Sequence, residues 1–137
     1  MKIKYFTILT LLVLSIGTTS LTAKQSPFLI QGKMPHLTML VKQNWNNENF
    51  GLTTQQRKKL KIIRQKTMSS VASLKGEIFP LEDSIVKASA NGATPTSLEE
   101  DVDKLAELRA EATMIHLKCI YDTKNVLTKK QIQFLSQ

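Results

Sequence analysis

The sequence predicts an all-α chain: two long helices in an elongated hairpin, with a short helix near each end. Three observations carry that reading. No segment alternates apolar and polar residues between turn signals, so strands are not expected. Two long runs place apolar residues at steps of three and four, the spacing of one helical face. Two Leu-Thr-x-x-Gln segments, at 52–56 and 127–131, have the chemistry of helix starts. The 137 residues, 42% hydrophobic and 22% charged, suit a single folded domain and not a disordered chain. One Cys rules out an intramolecular disulfide framework and any multi-cysteine zinc site.

In chain order, residues 1–23 combine Lys2 and Lys4 with an apolar run over 5–16 and then small and polar residues. That is the layout of a cleaved secretory signal peptide; the run is too short for a spanning helix, which needs about 20 apolar residues. Residues 24–35 contain Gly32, Pro27 and Pro35 and hold no period, so they read as a mobile arm. Residues 36–47 place Leu37, Leu40, Val41 and Trp45 at helical spacing, a short amphipathic helix. Thr53 then caps a long helix, with Gln56 reaching back to the cap and Leu52 stapling onto the first turn. Its stripe is Leu60, Ile63, Thr67, Val71, Leu74, Ile78, Leu81 and Ile85; Pro80 within it should kink or break the helix, and Asn91-Gly92 should stop it. Thr96 with Glu99 reads as a further capping box, opening a stripe of Leu98, Val102, Leu105, Leu108, Ala112, Ile115 and Cys119. Thr128 and Gln131 repeat the first cap ahead of Ile132, Phe134 and Leu135.

The formal charge of +8 resembles that of a nucleic-acid binder. An export signal removes that reading, because an exported chain does not meet the genome. Cleavage after Ala23 takes away two lysines and no acids, so +8 becomes +6. A basic exported chain meets anionic membrane surfaces or acidic, partly unfolded proteins, with long-range charge raising encounter rates.

The paired segments Leu52-Thr53-x-x-Gln56 and Leu127-Thr128-x-x-Gln131, in a basic chain with an export signal and helices of this layout, resemble the Spy/CpxP family of periplasmic LTxxQ proteins. The resemblance runs from about Pro35 to the C-terminus. It implies a cradle-like helical dimer in the periplasm. It also implies one of three roles: an ATP-independent chaperone for partly folded proteins, a modulator of the sensor domain of a histidine kinase, or a metal-binding protein of stress or resistance.

The chain's own residues bear on these roles. Two stripes of such length exceed what one hairpin can bury, so a second copy is a natural partner. Ile62, Met68, Phe79, Met114, Leu117, Ile120 and Tyr121 widen the apolar face, and methionine suits varied contacts. Arg57, Lys58 and Lys61, with Lys59, Arg64 and Lys66, would rim that face with positive charge, giving a client-binding surface that needs no cofactor. His116 and Cys119, three apart, share a helix face with about 5–6 Å between Cβ atoms. With His36 they would make a His/His/Cys set for zinc or monovalent copper, with Met34, Met39 or Met114 as softer ligands. Against that, Cys119 lies on the apolar stripe, where an unpaired Cys is ordinarily buried, or pairs across a dimer in an oxidising compartment. No hydrolase, zinc-protease, P-loop or dinucleotide motif occurs, so an enzyme is not expected.

Overall fold

The computed structural model describes residues 25–136, and the expected export signal lies outside them. Among the described residues there are four α-helices, one short 3-10 turn and no strand. The helices are α1 (Leu37–Gln43), α2 (Thr54–Ala90), α3 (Glu99–Val126) and α4 (Lys129–Phe134), with the 3-10 turn at Pro95–Leu98. The all-α hairpin is therefore the fold. No helix among the described residues is long and apolar enough to cross a membrane.

Each boundary has a local cause. At the start of α2 the Gln56 N–H donates to Thr53 Oγ1 at 3.1 Å, and the Thr53 N–H donates to Gln56 Oε1 at 3.0 Å. Thr128 and Gln131 build the same reciprocal box at α4. α2 ends in a glycine cap: Gly92 has φ +88°, its N–H reaches Ser89 O, and the Ala93 N–H reaches Ala88 O, both at 3.0 Å. Pro80 does not break α2; the helix runs through it, and at 37 residues it is about 55 Å long. Pro80 and Gly76 are exposed, so the one N–H bond that the ring removes lies on the solvent side of the helix, where the freed carbonyl is open to solvent.

Two expected details change. α1 stops at Gln43 because the Asn44 side chain turns back to donate to Leu40 O at 3.0 Å. The cap before the second long helix is Thr94 and not Thr96. Pro95 sits at the first position of the 3-10 turn, where its missing N–H costs nothing, so the residue before it takes the cap role. Ser97 N–H donates to Thr94 Oγ1 at 3.3 Å, and α3 then starts at Glu99 with no side-chain cap of its own.

Packing pairs the start of α2 with the end of α3, so the helices run antiparallel. One core cluster joins Val41, Phe50, Leu52, Leu60 and Leu127, with Trp45, Ile132 and Phe134 against it. A second joins Leu74 and Ile78 to Leu108 and Ala112, with Phe28 and Leu105 at its edge. Leu60, Val71, Leu74 and Ile78 are buried at the stripe positions, with Ile63, Thr67, Leu81 and Ile85 half-buried. On α3 the stripe holds except at Val102, which is exposed near the tip. Residues 25–36 contain no helix, but they are tied down. Arg109 donates to Ser26 O at 2.7 Å and pairs with Glu82 at 2.8 Å, and the Leu29 N–H donates to Thr113 Oγ1 at 2.9 Å. The arm expected to be mobile lies strapped across α3.

Candidate functional site

The two Leu-Thr-x-x-Gln segments meet. Gln56 Nε2 donates to Gln131 Oε1 at 2.8 Å, and Gln131 Nε2 lies 3.2 Å from Gln56 Oε1, so the two amides form a reciprocal pair 75 residues apart in sequence. Gln131 is buried, and its Nε2 also donates to Phe50 O at 3.1 Å and Gly51 O at 3.2 Å. Gln56 Nε2 donates to Val126 O at 3.0 Å. Each glutamine thus closes its own cap and holds the other segment. Only an amide offers both donors and acceptors for this; a carboxylate would face carbonyl oxygens with no proton to give. The motif is a structural clasp at the base of the hairpin. Sequence reasoning located both halves but not their contact.

Above the clasp, α1 packs beside the hairpin through Val41 and Trp45. The Arg57 guanidinium lies 5.3 Å from the Trp45 ring centroid and donates through Nε to Leu52 O, while Lys61 Nζ lies 5.8 Å from the same ring. Arg57 is therefore partly engaged within the fold, whereas Lys58 is free on the surface.

The apolar residues expected to bind clients separate into groups. Met114, Leu117 and Tyr121 are 64%, 40% and 66% exposed, and their i, i+3, i+7 spacing lines them up as one strip on α3. Ile62 and Met68, also exposed, lie on opposite flanks of α2. Ile62 borders a groove with Ile63, Ile115 and Cys119, and Met68 borders the cavity that holds His36. Phe79 is half-buried against the second core cluster, and Ile120 is half-buried. These residues do not form a single patch; the α3 strip is their continuous part.

His36 and His116 meet as well, stacked at 4.7 Å between centroids and 16° between planes, with Phe28 at 4.7 Å on the His116 ring. Cys119, buried and unpaired, lines the same cavity of about 260 Å³, as do Met39, Arg64 and Lys75. His116 is 5% exposed, and its Nδ1 has no hydrogen-bond partner. Burial, and then His36 beside it, lower the His116 pKa from 6.5, against an opposing pull from the Pro35 backbone. Face-to-face rings do not converge on one point. Among the described residues no group of three His, Cys, Asp or Glu side chains is placed to hold a metal ion. Met34 and Met114, named as softer ligands, do not line this cavity, whereas Met39 does.

Compared with protein-family models, with curated proteins and with solved structures, the chain finds no match.

Proposed function

We propose that this chain is an exported, periplasmic, ATP-independent chaperone or envelope-stress adaptor of the Spy/CpxP type, binding partly unfolded proteins. The carrying observation is the exposed strip of Met114, Leu117 and Tyr121 on a helix that is otherwise amphipathic. Exposed contiguous apolar surface of this kind marks interaction sites. Lysines nearby on the same hairpin supply steering for acidic clients, and weak contacts let a client leave without nucleotide. The clasp gives both motif glutamines a partner, so the two LTxxQ segments act as one structural unit in this reading. A second copy of the chain would bury further apolar surface at Ile62 and Val86. The test is light scattering of a chemically denatured client with stoichiometric protein and no nucleotide. Suppression of aggregation across several clients, acidic ones included, is expected; none across all of them refutes the reading.

A second reading, a metal-binding stress or sensor protein, is favoured by one observation: the buried, unpartnered Nδ1 of His116 beside His36 and Cys119. A rotation of the exposed His36 would let the three converge on zinc or monovalent copper. Calorimetric titration of the reduced protein decides it. Binding abolished by His116→Ala with Cys119→Ala supports the reading, and binding weaker than about millimolar eliminates it.

A further inference from the structure

A second concavity lies between α1 and the first turns of α2, away from the α3 strip. Thr38, Val41, Lys42 and Trp45 reach it from the α1 side at i, i+3, i+4 and i+7, and Leu60, Lys61 and Arg64 from α2. Val41 and Leu60 are almost fully buried and form its floor, and the half-buried Trp45 forms a wall. Its volume of about 350 Å³ is near the small end of ligand pockets. Three cationic side chains line it and no Asp or Glu does. Lys61 Nζ lies 5.8 Å from the Trp45 ring centroid, so its charge, though solvent-accessible, sits beside the apolar wall.

An apolar floor with cations only at the rim suits a ligand with an apolar body and a negative end, such as a slender alkyl chain ending in a single negative group. We propose that this pocket binds a single-chain anionic amphiphile of the alkyl carboxylate class, with the chain against Val41, Trp45 and Leu60 and the carboxylate between Lys61 and Arg64. The small volume selects one short chain over a two-chain lipid, and the rim selects an anion over a neutral or cationic head. The site lies apart from the α3 strip, and although Lys61 and Arg64 also belong to the basic cluster near the clasp, the head-group comparison tests the pocket without any client.

Trp45 is the only tryptophan in the sequence, so the tryptophan fluorescence comes from a wall of this pocket. The full chain is titrated with decanoate below its micelle concentration, with decanol and decyltrimethylammonium as head-group controls and an acidic, leucine-containing peptide as a further arm. A saturable blue shift with decanoate is expected, weak with decanol and absent with the ammonium compound. Calorimetry on the Lys61→Gln/Arg64→Gln variant, with its helicity checked by circular dichroism, should show decanoate affinity reduced about ten-fold or more. No saturable response to decanoate, an equal response to the cationic amphiphile, affinity unchanged in the variant, or a response to the peptide alone would each overturn the proposal.

Discussion

Gln131 is the residue on which the base of the molecule most depends. It is buried and gives hydrogen bonds to Phe50 O, Gly51 O and Gln56 while accepting from the Thr128 backbone. Truncation removes the buried donor to Phe50 O and the clasp to Gln56, and a buried group left without its partner costs about 1–3 kcal/mol. Gln131→Ala should therefore lower unfolding free energy by about 2–3 kcal/mol in urea titration, with Gln56→Ala costing less because its box is more exposed. Gln131→Glu should be no better than Ala, since it keeps the volume but loses every donated bond.

His116 makes a prediction of a different kind. Its folded pKa lies below the 6.5 of the unfolded chain, through burial first and His36 second. The unfolded state thus binds the proton more readily, and stability rises with pH across that window. The contribution is complete above 6.5 and is lost as pH falls from there to the folded value. Melting temperature should drop on acidification below that point, and His116→Gln, which cannot titrate there, should flatten the drop.

At the scale of elements, the helices were legible where one local cause decides them. The two capping boxes, the Asn91-Gly92 stop and the α2 stripe are all set by residues within a few positions of one another. The cap at Thr94 is also local, but Pro95 outweighs the Thr96–Glu99 pattern, because a proline at the first helical position fixes the residue before it as the cap. What the sequence could not convey was long-range. The Gln56–Gln131 pair and the strap across α3 each join residues at least 75 positions apart, whereas the meeting of His36 with His116 is expected from their metal-ligand chemistry, but not as a stacked pair. Helical periodicity says which face is apolar, not which element covers it; Phe28 and Pro27 carry no period at all. The strap is held by Arg109, whose side chain is 14% exposed and divides its donors between Ser26 O and Glu82. Arg109→Ala should release it. Hydrogen exchange at residues 26–29 should speed up markedly, with a stability loss of about 1–2 kcal/mol, while α2 and α4 stay protected.

At the scale of the whole molecule, charge is segregated along the hairpin. Arg57, Lys58, Lys59, Lys61, Arg64 and Lys66 cluster on the early turns of α2, near the clasp. Glu99, Glu100, Asp101 and Asp103 gather at the opposite end, where α3 begins and negative charge suits its dipole. If the chain acts as the proposed chaperone, a client carrying acidic segments would be drawn to the clasp end, and encounter should slow as salt approaches 0.15 M, where the Debye length is about 8 Å. Capture itself is then assigned to apolar surface that the fold leaves uncovered. The candidate residues named from sequence divide accordingly: Phe79 and Ile120 serve packing in part, Arg57 and Lys61 flank Trp45, and Met114, Leu117 and Tyr121 remain for contact.

That assignment is tested most directly by the triple variant Met114→Ser/Leu117→Ser/Tyr121→Ser in the client-aggregation assay. All three side chains are exposed, so helicity and melting temperature should change little. The account predicts that the variant, folded as the parent is, loses most of its suppression of client aggregation. Full suppression by the folded variant would contradict it.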